Sequence, residues 1–543
     1  MGALGTARSV VGNRDVLAAE AAYTAFAIVV HGAWLAGLVF AFNRGGVSEA
    51  GIVAFVVMIP GVFLAPFLSV LTNRLRGDHA LAIGLLAQAM ACGATGTAML
   101  VEAHAVLIYG SLAALMALQT VTLPTLLTVL PGLVKGPAEL AAANATLGLT
   151  ERIGSFFGPM VAASILYGTS AATVFLVAAG LLVMATGLAT TLRVRAEDDD
   201  WDEPSAGSGF ADVGDGLKLL KDDPSTRLLV ILLAAILIIF GALDVALVAI
   251  AVEQLGRDEA TVGLLAGAIG VGGIVGAGLT FLLVGRRRLT MPITFGLLAV
   301  AIPIMALAST TSLVLVMTLL AVTGLGRPVL EVAGRTLIQG LSAEDTMAGI
   351  FGLLEGLTLL AVAVGALGFS IAVNLLGLAP ALLIFGGILP LFLGVQYAHL
   401  RRIDEARPEV DAELLELMRS VPIFSPLPAF QVEQLLVNMN PVDFTADTPV
   451  FSEGDQGDLL YVVTDGSAMI ELVDGDVETE RGGFFGEIAL IRNQPRMATV
   501  RAGGQGLQAY TLDRDTFISA ISGVARSKGR TDREIERRLG EAQ

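Results

Sequence analysis

Long apolar runs alternate with short polar connections through the first 400 residues of the chain. Each run reaches the roughly 20 residues that a helix needs to cross a bilayer. The runs lie at about residues 21–42, 48–71, 80–101, 104–130, 141–166, 170–192, 227–252, 261–284, 290–309, 312–338, 348–374 and 378–399. This pattern predicts a polytopic α-helical membrane protein with twelve transmembrane helices.

A charged stretch from Arg193 to Arg227 separates the first six runs from the last six. It contains AEDDDWDEPSAGSG, whose acidic and turn-forming residues are typical of a linker. The predicted organisation is therefore a six-helix half at 1–192, a cytoplasmic linker at 193–226, a second six-helix half at 227–400 and a further domain at 401–543.

The composition supports this division. Only 15% of the residues are charged, compared with about 25% in an ordinary soluble protein. From Asp404 onward the chain nevertheless holds 25 of its 50 acidic residues and only 13 lysines and arginines. An acidic, soluble tail argues against binding to nucleic acid, which requires a basic face. The single cysteine, Cys92, excludes a disulfide framework and a cysteine zinc site, and no metal site is predicted.

The basic residues orient the predicted spans, because lysine and arginine stay on the cytoplasmic side of a membrane. With both termini inside, the outer connections carry only Arg44 and Arg257. The inner connections carry Arg8, Arg14, Arg74, Arg76, Lys135, Arg193, Arg195, Arg286, Arg287, Arg288, Arg401 and Arg402. We expect a multi-pass protein of the cytoplasmic (inner) membrane with both termini in the cytoplasm.

The two halves resemble each other. FLSVLTNRLRG follows the second run and FLLVGRRRL follows the eighth, so each half has an arginine cluster at the same inner turn. Paired halves of this kind build many secondary transporters. Six plus six spans, a long central loop and these basic turns resemble the major facilitator superfamily. The family's gating loop usually has an aspartate before its arginine, whereas this chain has Asn73, Arg74 and Gly77.

Further stretches, including ELAAANATLGLTERIGSFFGP and AGIFGLLEGL, resemble the drug-efflux-like branch of that family. The resemblance implies a small amphipathic substrate that is exported against a proton gradient.

Ionisable residues inside the predicted spans are functional candidates, because charge is unfavourable at bilayer depth. Asp244 and Glu355 have no obvious local partner and are candidates for carrying a proton or substrate. The neighbours Glu151 and Arg152, and the helix-face pair Glu331 and Arg335, are candidates for the same role or for structural ion pairs. His31 and Trp34 are predicted to be packing residues, and the small-residue stripe of the eighth run is predicted to pack helices closely. This stripe contains Gly263, Gly267, Gly272 and Gly276.

The tail after Glu413 has short amphipathic helices followed by alternating stretches and glycine-aspartate turns. Leu459, Tyr461 and Val463 alternate as in a half-buried strand. Short strands at this spacing predict a small β-jelly roll or barrel, with a further helix after Asp513.

One segment of the tail, GGFFGEIALIRNQPRMATV from Gly482 to Val500, has the residues of an anion site. Gly486 permits close backbone approach, EIAL begins a short helix whose free N–H groups favour an anion, and Arg496 can donate two hydrogen bonds to a phosphate. Together with VFSEGDQGDLLYVV upstream, this segment closely resembles the cyclic nucleotide-binding domain. The family includes the protein kinase A regulatory subunit and the bacterial catabolite activator protein.

The resemblance implies a role for each residue of the segment. Glu487, helped by the Gly486 amide, would bind the ribose 2′-hydroxyl. Arg496, helped by the Ala498 amide, would bind the cyclic phosphate, and Ile488 and Ala489 complete the motif. Met497 stands where cGMP-binding members often have threonine, which favours cAMP. The alternative is a jelly roll with an empty pocket.

These observations favour a membrane transporter regulated by a cyclic nucleotide. Its expected partners are membrane lipids, a small-molecule substrate and cAMP. A membrane-tethered cyclic nucleotide receptor without transport activity is the alternative, for which Asn73 is a mild indication. A gated channel would need a selectivity filter and fits poorly. An enzyme is not expected, because the sequence shows no catalytic triad or metal-ligand spacing.

Overall fold

The computed structural model separates the chain into two compact units, Met1–Asp404 and Glu405–Gln543. Each unit is described by itself. The structure describes residues 13–73, 77–134, 137–192, 223–280, 288–341, 344–405, 412–424, 427, 432, 435–436, 438–471, 475–492, 494–514 and 516–518. Most of the predicted linker and the helix predicted near the C-terminus lie outside these ranges.

The first unit is helical throughout its described part, and its helices coincide with the predicted apolar runs. They are α1 (Arg14–Asn73), α2 (Gly77–Leu100), α3 (Ala105–Gln119), α4 (Thr122–Leu133), α5 (Pro137–Leu166), α6 (Ala171–Ala189), α7 (Pro224–Ala249), α8 (Ala260–Thr280), α9 (Thr290–Leu307), α10 (Leu313–Leu341), α11 (Glu344–Leu376) and α12 (Leu378–Glu405). A π-helical turn, Ile250–Gln254, continues α7.

Two predicted runs share the long helix α1. The helix is interrupted at Gly45 and Gly46, whose backbone angles are not helical. Gly46 has φ +66°, which places it in the left-handed region that favours glycine. The fourth run, in contrast, forms two helices, α3 and α4.

Within the described residues, ten helical segments are long and apolar enough to cross a membrane. One of them, Arg14–Leu64, covers both runs of α1, and α5 with its charged residues is not among them. The helical membrane architecture is confirmed, and the count of twelve spans stays a prediction.

Glycines bring the helices of this unit into close contact. A Cβ atom on Gly272 or Gly276 of α8 would overlap the backbone of Ala321 or Leu325 on α10, and one on Gly263 would overlap Ala163 of α5. The interpretation of the α8 glycines as packing residues is therefore confirmed at these three positions.

The second unit contains one antiparallel sheet with short helices beside it. Its described elements are α13 (Ala412–Ser420), β1 (Asn440–Phe444), β2 (Pro449–Phe451), β3 (Leu459–Glu471), β4 (Val477–Glu480), β5 (Phe484–Phe485), α14 (Glu487–Arg492) and β6 (Thr499–Asp513). The order across the sheet is β1-β6-β3-β4, while β2 pairs with β6 and β5 pairs with β3.

Strand β3 is buried on both faces, not on one as the alternation predicted. Leu460 and Val462 join a core with residues of α13 and its neighbours, including Met418. Tyr461 and Val463 face the opposite way and join a second core with Phe485. The two cores on either side of one strand explain why the polar alternation expected of a half-buried strand is absent there. The second core lies beside the candidate ligand site.

Candidate functional site

The turn between β5 and α14 is built around Gly486. Its φ of +91° lies in the left-handed region, where a side chain is unfavourable. A Cβ atom at this position would lie 2.5 Å from Nη1 of Arg496 and 3.0 Å from the carbonyl oxygen of Leu459. Glycine is thus required here both by the backbone conformation and by the nearness of Arg496.

Arg496 is folded into the second unit and is only 5% exposed. Its Nη1 donates to the carbonyl oxygen of Gly486 at 2.9 Å, and its Nη2 donates to that of Leu459 at 2.7 Å. Nε is buried and has no hydrogen-bond partner among the described residues. A guanidinium has five N–H donors, so the two carbonyls leave others, the Nε–H among them, for a ligand.

The main chain of Arg496 is also held by hydrogen bonds. The Arg496 amide donates to the carbonyl oxygen of Asp455 at 2.8 Å, and the Gly454 amide donates to the carbonyl oxygen of Arg496 at 2.9 Å. Both partners belong to the turn between β2 and β3. This turn therefore sets the position of the arginine.

The charge around Arg496 is predominantly acidic. Desolvation by burial lowers the pKa of the Arg496 guanidinium, and nearby Tyr461, Asp458, Glu487 and Asp455 act in the opposite direction. An arginine stays charged in either case. A buried cation with a donor left unpaired is an unfavourable arrangement that an anionic ligand would relieve.

The other predicted pocket residues divide into an inner and an outer group. Glu487 and Ala489 are buried beside Arg496, and Ile488 and Ala498 are half-buried. Met497 is 51% exposed. The structure thus brings Gly486, Glu487, Ala489 and Arg496 together.

Sequence reasoning missed Gly457 and Phe451. A Cβ atom on Gly457 would lie 2.8 Å from Nε of Arg496 and 2.7 Å from Cβ of Ala489, so this glycine makes room for the guanidinium. Phe451 lies under the guanidinium, with 4.1 Å between its ring centre and Cζ of Arg496. Both residues lie outside the 482–500 segment from which the site was predicted, although Gly457 belongs to one of the glycine-aspartate turns.

A second polar site lies within the helices of the first unit. Glu151 of α5 accepts a hydrogen bond from the hydroxyl of Tyr23 at 2.9 Å, and its Oε1 lies 3.2 Å from Nε2 of His31. Both partners are on α1. In the second half, Asp244 of α7 accepts a hydrogen bond at 3.0 Å from the indole nitrogen of Trp34, also on α1.

The cluster continues onto α10. Arg327 Nε donates to Oε1 of Glu331 at 2.8 Å, and Nη2 of Arg152 lies 3.8 Å from Oε2 of the same carboxylate. The Arg327 guanidinium also lies over Phe240, 4.7 Å from the ring centre. We call these residues of α1, α5, α7 and α10 the polar cluster; its members are Tyr23, His31, Trp34, Glu151, Arg152, Phe240, Asp244, Arg327 and Glu331.

These contacts add to two expectations. Glu331 forms an ion pair with Arg327, four residues before it on α10, at 2.8 Å, and Arg335, four residues after it, is exposed. His31 and Trp34 are more than packing residues, since each contacts a carboxylate through a ring nitrogen.

Four charged side chains of the polar cluster keep accessible surface although they lie within the helices. The side chain of Glu151 is 46% exposed, and those of Arg152, Glu331 and Arg327 are 36%, 26% and 38% exposed. Such exposure, at residues far from helix ends, is expected of groups that line a water-accessible cavity.

Just after the interruption of α1 at Gly45 and Gly46, polar contacts connect the two halves of the first unit. Ser370 of α11 donates to the carbonyl oxygen of Val47 at 2.7 Å, and Nδ2 of Asn374 donates to Oγ of Ser48 at 2.6 Å. We call these four residues the end contacts. They hold α1 against α11 at this level.

Some predicted residues lie outside what the structure describes. The side chains of Glu355 and Asn73 are not described, and Arg74 falls in a gap. Gly77 is the first residue of α2.

Comparisons with known proteins identify both parts of the chain. Residues 21–283 match the family model of the Major Facilitator Superfamily, and residues 441–523 match that of the Cyclic nucleotide-binding domain. The chain joins a Major Facilitator Superfamily region to a cyclic nucleotide-binding domain. Assignment of the region to the drug-efflux-like branch stays a prediction.

Two curated relatives each match part of the chain. The cAMP-dependent protein kinase type II regulatory subunit of Drosophila melanogaster is 36% identical over 122 residues, which cover 21% of this chain and 30% of the relative. A cyclic nucleotide-gated potassium channel of Rhizobium etli is 29% identical over 160 residues, which cover 28% and 43%. This chain thus spans less than half the length of these relatives.

The Major Facilitator Superfamily region has a structural counterpart. The solved structure of the nucleoside transporter NupG aligns with 71% of this chain and 99% of its own, with a TM-score of 0.59 and 12% identity. At this identity the likeness shows the fold alone. The polar cluster and the end contacts therefore lie in a helical fold shared with that structure, and the Arg496 site lies within the residues that match the Cyclic nucleotide-binding domain.

Proposed function

We propose that the protein is a membrane transporter whose cycle is biased by a cyclic nucleotide, cAMP in preference to cGMP, bound in the C-terminal domain. One observation carries the nucleotide part: a buried arginine, Arg496, presents an unpaired N–H donor beside the left-handed turn at Gly486. The cyclic phosphate supplies the negative charge and the acceptor oxygens with which this arginine can pair.

In this proposal each pocket residue has one role. Arg496 pairs with the cyclic phosphate through its free Nε edge, assisted by the Ala498 amide. Glu487, buried beside it, accepts a hydrogen bond from the ribose 2′-hydroxyl, and the Gly486 amide assists. Met497 is exposed and has no hydroxyl to offer to a guanine base, which supports the preference for cAMP.

For transport, we propose that the polar cluster is the substrate and proton site. It joins the two halves, because Trp34 contacts Asp244 and Arg152 faces Glu331. Alternating access in a protein with paired halves requires movement of one half against the other around such a site. Glu151 and Asp244 are the proposed proton carriers, and the proposed activity is proton-linked efflux of a small amphipathic compound.

The proposed setting is the inner membrane with both termini in the cytoplasm. It rests on the distribution of arginines, since Arg44 and Arg257 alone fall on the opposite side. In this orientation the nucleotide-binding domain, 401–543, lies in the cytoplasm, where cAMP is made. The other proposed segments are the two six-helix halves, 1–192 and 227–400, and the linker, 193–226.

Calorimetric titration of cAMP and of cGMP into the purified full-length protein tests the nucleotide part. We expect saturable cAMP binding and weaker cGMP binding. If neither nucleotide binds, the domain is a jelly roll with an empty pocket, and the regulatory proposal is wrong.

The end contacts allow the transport part to be tested without a known substrate. We expect the double variant Ser48→Cys/Asn374→Cys to be joined rapidly by a short bifunctional thiol reagent, because the two side chains are in hydrogen-bond contact. Background reaction should be low, since Cys92 is the only native cysteine and is fully buried. The measurement is the rate of cross-linking on a gel, with each single-cysteine variant as control.

We expect saturating cAMP to change this cross-linking rate by at least about fivefold, the lower end of typical coupling between sites. A ligand shifts a conformational equilibrium only through its different affinities for the two states. The same rate should be indifferent to cAMP in a variant that also carries Arg496→Ala. Intact cAMP binding with an unchanged rate would favour instead a membrane-tethered receptor whose helices do not cycle.

A further inference from the structure

Three aromatic rings lie together beneath the Arg496 site. Tyr461 of β3 and Phe485 of β5 are stacked, with 5.0 Å between ring centres and 3° between ring planes. Phe451, the last residue of β2, closes the group at 5.8 Å from Tyr461 and 5.9 Å from Phe485. We call Phe451, Tyr461 and Phe485 the aromatic floor.

Within the aromatic floor, Phe451 is the ring that meets the arginine. Cζ of Arg496 lies 4.1 Å from the centre of Phe451 and 5.9 Å from that of Tyr461. A guanidinium at the shorter distance is in face contact with the ring, where the negative charge of the π system attracts the cation. Because that face is covered by the ring, an anion must approach along an edge of the guanidinium plane.

The three nitrogen atoms of the Arg496 guanidinium are not equivalent. Nη1 and Nη2 already donate to the carbonyl oxygens of Gly486 and Leu459, and Nε is buried without a partner. The ring below and the two carbonyls together fix the guanidinium plane, and Nε is the buried donor that they leave for a ligand. A guanidinium ordered before binding loses less conformational freedom when the ligand arrives.

The backbone reinforces this geometry. Phe451 pairs with Val500 of β6, and the turn that follows it contains Gly454 and Asp455, whose main-chain groups hydrogen-bond to both sides of Arg496. Phe451 and Arg496 are therefore tied to the same short stretch of chain.

We propose that Phe451 is a positioning residue for the ligand of the nucleotide site: its ring holds the Arg496 guanidinium in the orientation that binds the phosphate. The inference rests on the proposed cyclic nucleotide site and names a residue on which its affinity depends.

The test is a double-mutant cycle read by calorimetric titration of cAMP into the full-length protein. Phe451→Leu removes the ring and keeps an apolar side chain, and we expect cAMP affinity to fall about 3- to 30-fold, the range of cation–π contacts from exposed to desolvated sites. Phe451→Tyr keeps the ring and should retain affinity within about twofold.

The cycle separates positioning from general packing. In an Arg496→Ala background, titrated to millimolar cAMP, Phe451→Leu should have little further effect, because the ring then has no guanidinium to hold. An equal loss in both backgrounds would show that the ring acts on the fold and overturn the inference, as would wild-type affinity in Phe451→Leu. If Arg496→Ala itself binds cAMP normally, the proposed nucleotide site is wrong and the inference falls with it.

Discussion

Arg496→Ala is expected to weaken cAMP binding about 10- to 100-fold, because a hydrogen bond to a charged group contributes about 1.5–3 kcal/mol. The arginine brings a positive charge into the pocket, and the surrounding carboxyl groups of Asp458, Glu487 and Asp455 oppose an anion. Its removal leaves the phosphate facing an acidic surface without compensation. Calorimetric titration of the full-length variant gives the affinity directly.

The matched control is Arg501→Ala. Arg501 is on β6, is 46% exposed and forms its ion pair with Glu471 at the surface. Exposed pairs of this kind contribute about 0–1 kcal/mol, so cAMP affinity should stay near the wild-type value. Equal affinity in wild type and Arg496→Ala would contradict the site assignment, and an equal loss in both variants would indicate a general charge effect.

Gly486→Ala is expected to reduce cAMP affinity about as strongly, by roughly 5- to 100-fold, through loss of a charge-assisted hydrogen-bond geometry. The new Cβ atom would lie 2.5 Å from Nη1 of Arg496 and must displace the guanidinium. The left-handed backbone adds about 1–2 kcal/mol of strain for any residue with a side chain. The variant should therefore also unfold at lower temperature.

Gly482→Ala separates these two effects. Its φ of +84° is close to that of Gly486, but the nearest atom to a new Cβ is Cδ1 of Leu417 at 3.6 Å, an ordinary contact. We expect a similar loss of thermal stability with nearly normal cAMP binding. If both variants lose binding equally, backbone strain and not displacement of Arg496 explains the effect.

The pocket was predictable from sequence to the extent that it is local. Gly486 and Arg496 are ten residues apart, and their contact follows from one strand, one left-handed turn and one short helix. Phe451 and Gly457 belong to the upstream stretch VFSEGDQGDLLYVV, whose resemblance indicates the domain but not which of its residues contact Arg496.

In the membrane region, too, local features were predictable from sequence and long-range contacts were not. Apolar length predicts the helices, because each satisfies its own backbone hydrogen bonds. The partner of Asp244, however, is Trp34, 210 residues away. Only packing of α1 against α7 brings them together, and periodicity within either helix carries no signal of it.

The contacts between the two six-helix halves have a consequence for how their sequences can change in evolution. Trp34 and Arg152 are encoded in the first half of the chain, and their partners Asp244 and Glu331 are encoded in the second. A chimera that exchanges one half for that of a distant relative would separate Asp244 from its indole donor and Glu331 from one of its two arginines, inside the helices where unpaired charge is unfavourable. A substitution at one of these four positions in a related sequence is therefore expected to be accompanied by a compensating substitution at its partner in the other half.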